Sequence, residues 1–286
     1  MTDLLDHDLD QLRGRAPDLG RGQARDLDGE SSGAVPPAGA VPSPAVYRAV
    51  QVLELMGRRR EPLTITEVAG GLSLAKSTVS NLLISLEAAG MVRRSRRGWL
   101  LGYKVLELSR SMLVSTEVVG EFRRAALTLP ALRGETTVLA VLEGMDVLYV
   151  ARNDGQQTVR FVNEIGSRMP AVVTGLGKAM LASLDDDELD RRLGTIGELP
   201  RLTERSHRTV AALRADLTRI RARGYAVDDE QNTVGVMCFG VALEDVATPT
   251  AVSVSMITRR VTAEGRPQLV EDLHTLAGRL ARVEKL

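Results

Sequence analysis

The chain has 286 residues, 44% of them hydrophobic and 3% aromatic, and its 37 basic side chains balance 37 acidic ones. This length accommodates two modest domains, and the scarcity of aromatic rings argues against binding single-stranded nucleic acid by stacking. Cys238 is the single cysteine, and with only three scattered histidines we expect no disulfide, no metal site and no cofactor. Because the chain shows neither a bilayer-spanning apolar run nor a secretory signal, we expect a cytoplasmic protein without membrane contact.

Residues 1–43 mix Asp, Arg, Gly, Ser and Pro without sustained periodicity. Such a composition cannot bury enough apolar surface to offset the entropy lost on ordering, so we predict a disordered tail. Charge is distributed unevenly: this tail carries 4 basic and 8 acidic side chains, whereas residues 44–110 carry 11 basic and 5 acidic ones. A local excess of positive charge is what binding to phosphates requires.

Residues 44–101 have the pattern of three helices followed by a hairpin. The first helix starts at Pro44, and the second starts at a capping-box spacing formed by Thr64 and Glu67, with Thr66 as the alternative cap. We expect Gly71 to supply the turn before the third helix, which spans about residues 75–89. The inward face of the first helix is predicted to contain Val46, Val50, Leu53 and Met56.

The polar face of the third helix is concentrated near its N-terminus. In a helix bound in a DNA groove, such positions meet base edges and phosphates. Asn81 has the donor and acceptor that pair with adenine, whereas the residues of the first turn are better placed to hold the backbone. The predicted DNA-binding residues of this helix are Lys76, Ser77, Thr78, Ser80 and Asn81.

An arginine-rich hairpin follows the third helix. Two short strands are predicted around the sequence SRRG, with Trp99 as an anchor for the hairpin. Like charges crowded at a hairpin tip need an anionic partner, and DNA phosphates or the minor groove supply one. The predicted contacts are Arg93, Arg94, Arg96 and Arg97. Residues 44–101 are therefore predicted to be a winged helix-turn-helix that reads double-stranded DNA.

Residues 102–133 contain two apolar helical segments that suit a linker. Their apolar faces fit either pairing between two chains or packing within one chain, and both alternatives stay open. Residues 134–286 change to strand patterns, with TTVLAVL and VLYVAR as a hairpin and a closing helix near the C-terminus. This region is predicted to be an α+β domain in which helices pack on an antiparallel sheet.

Four short motifs follow the helix-turn-helix in a fixed order: GSRMP, GLGKA, RARGYAVDDE and VGVMC. Together with the helix-turn-helix, they resemble the IclR family of bacterial transcriptional regulators. The resemblance implies a winged helix-turn-helix, a linker helix and a GAF-like effector-binding domain, assembled as dimers or tetramers that bind organic acids or aromatic metabolites. Carried over to this sequence, the effector-binding residues are Phe161, Gly175, Leu176, Asp228, Val236, Cys238, Ser253 and Ser255.

These residue types suit a binding pocket. Gly175 allows close backbone approach where a helix begins, and the helix amides can hold an anion. Ser253 and Ser255 face the same side of a strand, and Asp228 can orient a hydroxyl group. The expected function is a ligand-responsive regulator, not an enzyme, that binds a pseudo-palindromic operator. The alternatives are a thiol-based redox sensor and a GAF-like enzyme, both of which would use Cys238.

Overall fold

The computed structural model describes residues 41–115, 117–155 and 164–284. The predicted tail, residues 1–43, lies almost entirely outside these ranges. The N-terminal part of the described chain contains α1 (Pro44–Arg59), α2 (Ile65–Leu72) and α3 (Lys76–Ala88), followed by the antiparallel strands β1 (Val92–Ser95) and β2 (Gly98–Leu101). This order confirms the predicted winged helix-turn-helix.

The turn between α2 and α3 is made differently from the prediction. The capping box is present, since Glu67 Oε2 accepts the Thr64 amide at 2.8 Å and Thr64 Oγ1 accepts the Glu67 amide at 3.2 Å. Gly71, however, lies inside α2, and the turn is made by Ser73, whose φ is 52°. Gly71 instead allows α2 to approach α1, because a Cβ there would lie 2.9 Å from Leu55 Cδ2.

The helices and the hairpin of this domain share one apolar core. Trp99 connects the hairpin to the chain before α2, because its backbone exchanges two hydrogen bonds, of 2.9 and 2.8 Å, with Leu63. The prediction that Val46 and Val50 face inward is wrong, since both are exposed. The inward stripe of α1 is rotated around the helix, and the core consists mainly of Val52, Met56, Val68, Val79, Leu83, Val92 and Trp99.

Two consecutive helices join this domain to the next. They are α4 (Tyr103–Ser115) and α5 (Glu117–Thr128). The α5 helix packs within the chain, with Phe122 fully buried and Glu121 paired with Arg279 at 2.6 Å. The α4 helix instead exposes Tyr103 and Leu106, so the two apolar segments differ in what their faces contact.

A mixed sheet and helix domain occupies the rest of the described chain. Its elements in chain order are β3 (Thr136–Glu143), β4 (Asp146–Asn153), β5 (Arg168–Pro170), α6 (Gly175–Ser183), α7 (Asp186–Leu193), α8 (Val210–Arg223), β6 (Ala226–Asp229), β7 (Val236–Ala242), β8 (Thr250–Ile257) and α9 (Arg266–Glu284). The six strands lie in the order β5-β4-β3-β8-β7-β6, and each neighbouring pair is antiparallel. This confirms the predicted α+β domain, and the architecture is consistent with a GAF-like fold.

The sheet separates two apolar cores. On one face, α6, α7 and α8 pack against alternate residues of β3 and β4, and on the other face α5 and α9 pack against the intervening ones. Alternation along β8 sends Ser253 and Ser255 towards α6, and Val252 and Val254 towards α9. The α6 face of the sheet is thus where polar side chains enter the interior.

None of the helices in the described ranges combines the length and hydropathy needed to cross a membrane. Within the same ranges, no three His, Cys, Asp or Glu side chains come together in a group that could hold a metal ion.

Candidate functional site

The start of α3 presents polar groups on an uncapped helix. Lys76, Ser77 and Asn81 are exposed, while Thr78 and Ser80 are half-buried. Ala75 occupies the N-cap position and makes no side-chain bond to the first-turn amides, in contrast to the capped start of α2. Because the first amides of a helix have no intrahelical acceptor, they are available to an anion such as a phosphate.

One residue on the exposed face of α3 was missed by the sequence analysis. Ile84 is 52% exposed and lies three positions after Asn81, so the two side chains share a helix face. A large apolar side chain exposed on this face suits contact with a thymine methyl group, which lines the major groove. The only sequence signal was an apolar residue outside the buried stripe of the helix.

The prediction that all four arginines of the hairpin crowd its tip is wrong. Only Arg96 and Arg97 occupy the turn, while Arg93 and Arg94 lie on β1. Arg94 stacks over the Trp99 ring, 4.6 Å from its centroid, and its Nε lies 3.2 Å from a carboxylate oxygen of Glu87 on α3.

These contacts separate the hairpin arginines by what they do. Arg94 therefore fixes the hairpin to α3, and Arg93 lies over the Tyr103 ring at 5.3 Å. Arg96 and Arg97 are exposed and have no acidic partner within ion-pair distance among the described residues. Arg93 is exposed as well and has no acidic partner among the described residues, so Arg93, Arg96 and Arg97 are the hairpin guanidinium groups available to an external anion.

The predicted effector residues meet where the start of α6 lies on β6, β7 and β8. Asp228 pairs in register with Cys238, and Cys238 pairs with Ser255. Cys238 Sγ lies 3.2 Å from Ser255 Oγ. We call Asp228, Cys238 and Ser255, with Ser253 and the start of α6, the effector cluster. Its members were brought together as predicted, although their role as ligands stays a prediction.

Two glycines allow α6 to touch the sheet directly. A Cβ on Gly240 would lie 2.5 Å from the Gly175 carbonyl oxygen, and a Cβ on Gly175 would lie 3.3 Å from the Cys238 carbonyl oxygen. This close approach places Leu176 and the first amides of α6 beside the cluster. Val236 lies two residues before Cys238, on the same side of β7 and half-buried. Phe161 lies outside the described residues.

Burial dominates the electrostatics of the cluster. Asp228 is 2% exposed, and its Oδ1 accepts the backbone amides of Gln231 at 2.7 Å and Asn232 at 3.2 Å. Burial outweighs these bonds and the nearby charge of Lys178, and it raises the pKa of Asp228 to about 6. Burial also raises the pKa of the Cys238 thiol, which disfavours the thiolate that a nucleophile or redox sensor needs.

A buried ionic network beside the cluster was not foreseen. Lys178, on α6, is 0% exposed, and its Nζ donates to Asp216 Oδ2 at 2.8 Å, to the Val227 carbonyl at 2.6 Å and to Gln231 Oε1. His207 Nε2 lies 3.1 Å from the same oxygen of Asp216. Burial lowers the pKa of Lys178, and the negative charge of Asp216 partly offsets this effect. Burial alone would raise the pKa of Asp216, but the hydrogen bonds from His207 and Lys178 hold it below its usual range. No local sequence pattern marks a lysine as buried.

Tyr149 is a second residue that the sequence analysis missed. It lies on β4, is buried, and faces α6 opposite Ala140. Burial raises the pKa of its phenol, and negative charge on Cys238 or Asp228 would raise that pKa further. Tyr149 thus lies on the face of the sheet that also carries the effector cluster.

Most of the effector cluster is buried in this structure, whereas Cys238 is half-buried. Asp228, Ser253, Ser255 and Leu176 are all buried. A groove of about 840 Å³ opens elsewhere, at the C-terminal end of α6 between α8 and α9, and none of the cluster residues lines it. A ligand that reaches the cluster must therefore displace part of its covering.

Comparison with known proteins identifies both domains. The family model described as "Bacterial transcriptional regulator IclR C-terminal" matches residues 110–282, and the one described as "IclR helix-turn-helix domain" matches residues 45–96. The chain is 32% identical to the HTH-type transcriptional regulator BhcR of Paracoccus denitrificans over 238 residues, which cover 82% of each protein.

Solved structures agree with the sequence comparison. A transcriptional regulator from Rhodococcus sp. RHA1 matches with a TM-score of 0.73 at 28% identity, covering 85% of this chain and 98% of that one. An IclR homolog from Microbacterium hydrocarbonoxydans, solved in complex with 4-hydroxybenzoate, shares the fold with a TM-score of 0.70 at 22% identity, covering 83% and 99%. The chain therefore belongs to the IclR family of bacterial transcriptional regulators, and it is a DNA-binding regulator, not an enzyme.

Proposed function

We propose that this protein binds a pseudo-palindromic operator as a homodimer or homotetramer in the cytoplasm, and that a small organic acid or aromatic compound modulates this binding. The observation that carries the proposal is the pairing of two unlike surfaces in one chain. The start of α3 and the hairpin tip expose cationic groups that have no acidic partner among the described residues, while the effector cluster buries polar groups beneath a helix start. The first surface suits DNA and the second suits a small ligand.

In this proposal the contacts to DNA divide by chemistry. Lys76, Ser77 and Thr78, with the first amides of α3, hold phosphates, while Ser80 and Asn81 meet base edges in the major groove. Ile84 contacts a thymine methyl group from the same face. The hairpin tip places Arg96 and Arg97 against phosphates or in the adjacent minor groove. Arg94 orients the hairpin through Glu87 and Trp99.

The effector cluster offers different chemistry at its two ends. The first amides of α6, at Gly175 and Leu176, suit a carboxylate. Asp228 and the hydroxyls of Ser253 and Ser255 suit a hydroxyl group at the other end of the ligand, and Val236 and Cys238 form an apolar wall. A hydroxylated carboxylic acid matches this arrangement. The Microbacterium relative was solved with 4-hydroxybenzoate, a compound of this class.

Exposed apolar surface supports a dimer. Leu106 on α4 is 70% exposed, Tyr103 and Leu108 on the same helix are exposed, and Val46 and Val50 on α1 are exposed as well. A second copy of this chain is the occupant we propose, because two helix-turn-helix units must be held one helical turn of DNA apart to read two half-sites.

Within this arrangement, residues 44–101 read DNA, residues 102–133 link and pair the chains, and residues 134–286 bind the effector. A charge placed on α4 should weaken the pairing. We expect Leu106→Glu to shift sedimentation from dimer towards monomer. An unchanged sedimentation coefficient would count against α4 as the interface.

The proposal is tested with the full chain and the promoter region beside its own gene. Fluorescence anisotropy at low ionic strength should show specific binding that a scrambled duplex of equal length does not reproduce. Adding 4-hydroxybenzoate, other hydroxylated carboxylic acids or phenol should change the affinity for the promoter only when the compound carries a carboxylate. Failure to prefer the promoter over the scrambled duplex would overturn the DNA-binding part, and an effect of phenol equal to that of the acids would overturn the effector class.

A further inference from the structure

The segment that leads from β6 to β7, residues 230–235, borders the effector cluster, because two of its backbone amides bond to Asp228. We call it the 230–235 loop. None of its residues belongs to either apolar core of the domain, and Val234 is 75% exposed. It starts at Glu230, whose φ of 57° is a left-handed conformation that non-glycine residues rarely adopt, and it ends at Gly235, whose φ is 80°. A segment with so few apolar contacts can open at low cost in free energy.

Polar bonds hold the 230–235 loop in place. Asp228 Oδ1 accepts two amides of the loop, as described above. Thr203 Oγ1 donates to the Glu230 carbonyl at 2.7 Å, and Ser206 Oγ donates to the Gln231 carbonyl at 2.7 Å. The Nε2 of the Gln231 side chain lies 3.3 Å from His207 Nε2, and its Oε1 accepts a further bond, from Lys178 Nζ. This last bond ties the loop to α6, the helix whose start lies on the effector cluster.

The burial of Lys178 is not explained by stability. Removing an ammonium and a carboxylate from water costs several kcal/mol per ion, and well-packed apolar side chains often replace such a pair without loss of stability. Each of its three N–H bonds is nevertheless used, towards α8 at Asp216, β6 at Val227 and the 230–235 loop at Gln231. Lys178 thus fixes the relative positions of three elements around the cluster.

We propose that Lys178 is a positioning residue for the effector cluster: its bond to Gln231 holds the 230–235 loop closed, and this bond breaks when the loop opens to admit a ligand. The inference rests on the proposed function of the cluster. Lys178 lies three residues after Gly175 on α6, within one helical turn. A ligand that presses on the start of α6 therefore acts on the helix turn that carries the latch.

Cys238 reports on loop opening because it is the single cysteine of the chain, belongs to the cluster and is half-buried, so that opening the loop should raise its labelling rate above that of the closed protein. The experiment measures the rate at which an aromatic disulfide reagent labels Cys238 in the folded full-length protein, without DNA or effector. Hydrogen exchange of the Gln231 and Asn232 amides, which bond to Asp228, is measured in parallel.

Three variants separate the latch from general effects of substitution. Gln231→Asn keeps the amide but shortens the side chain by one methylene, so that it no longer reaches Lys178. Gln231→Glu keeps the length and an acceptor oxygen for Lys178, while it replaces the amide nitrogen that faces His207 by a carboxylate oxygen. Thr233→Val removes a hydrogen bond within the same loop, Thr233 Oγ1 to Asn232 Oδ1, that does not reach α6.

We expect Gln231→Asn to accelerate both labelling and exchange about 10-fold to 100-fold, the effect of losing one hydrogen bond to a charged donor. Gln231→Glu and Thr233→Val should keep the wild-type rates. Wild-type rates in Gln231→Asn would overturn the proposal, as would an equal acceleration in Thr233→Val.

A urea titration of each variant completes the test. An acceleration matched by an equal loss of global stability would overturn the proposal, since Gln231 would then hold the whole domain and not the loop. Because neither DNA nor effector is present, this result is independent of whether the protein binds its operator.

Discussion

The DNA-reading surface and the effector cluster use polar groups in opposite ways. Arg96 and Arg97 stay exposed without an acidic partner in the described chain, so water solvates them at little cost until an anion arrives. In the cluster, Asp228 and the neighbouring Lys178 are buried, and both are hydrogen-bonded. At the DNA-reading surface, an anion therefore has only to replace water around exposed arginines. At the effector cluster, a ligand must replace hydrogen bonds that already hold the interior together.

The largest effect is expected for the pH dependence of the free energy of unfolding that the Asp228 carboxyl causes. Its pKa of about 6 in the folded state lies above the ordinary value of 3.8, so folding favours the neutral acid. The free energy of unfolding should therefore fall as pH rises from about 4 to about 6 and stay lowered above that range, by an amount on the order of 2–3 kcal/mol. Lys178 from α6, Cys238 from β7 and Tyr149 from β4 are the titratable groups around it.

Asp228→Asn removes this titration and should be more stable than the wild type above about pH 6, with the difference vanishing near pH 4. Urea unfolding at several pH values measures it. Asp229→Asn is the matched control, because the adjacent Asp229 is exposed enough to pair with Arg205 at the surface. A parallel pH profile for Asp228→Asn and the wild type would contradict the raised pKa of Asp228.

On the DNA side, the double change Arg96→Ala with Arg97→Ala should have the next largest effect. Losing two phosphate contacts should lower the slope of log affinity against log salt by roughly 2, and weaken binding to operator and scrambled DNA alike. Arg94→Ala is the control: it should reduce affinity while keeping the slope, because Arg94 is paired with Glu87. If Arg94→Ala lowered the slope by roughly 1, half of the change expected for the double variant, Arg94 would also contact a phosphate.

Replacing Asn81 tests base reading. Asn81→Ala should remove discrimination at one base pair of each half-site, worth about 1–3 kcal/mol, while non-specific affinity stays the same. Binding to a library of single-base operator variants measures the preference at each position. A uniform loss across the library would assign Asn81 to the backbone instead.

The smallest effect is expected at Ile84. Ile84→Ala should reduce preference for thymine at one position by roughly 1 kcal/mol, the scale of a small apolar contact. Replacing that thymine by uracil, which lacks the methyl group, should cost the wild type the same amount and cost the variant nothing. An equal cost of uracil in both proteins would remove Ile84 from the interface.

The features that the sequence could predict are those that depend on residues close together along the chain. The capping box at Thr64 and the start of α3 depend on neighbours within one helical turn, and both were predicted. Arg94 depends on Glu87 and Trp99, which meet only in the folded domain, so its structural role was hidden.

Tyr149 and Lys178 illustrate the same limit in the second domain. A bulge in β4 opposite Leu139 and Ala140 shifts the strand alternation, and no pattern in VLYVAR reveals which way the ring of Tyr149 faces. Lys178 reads as a surface lysine until α8 and the 230–235 loop are placed around it. The motifs of the effector cluster were found through the family resemblance, because its members are far apart along the chain.

The absence of a side-chain cap on α3 has a consequence for the stability of the helix start. With Ala75 in that position, the opening turn of the helix lacks the stabilisation that a Ser, Thr, Asp or Asn there would add, about 1 kcal/mol. In the proposed function, a DNA phosphate bound to those amides would supply the missing hydrogen-bond acceptor. Binding of the operator would then also stabilise the first turn of α3. Inorganic sulfate, which imitates a phosphate, should stabilise that turn in the free protein and compete with the duplex for the start of α3.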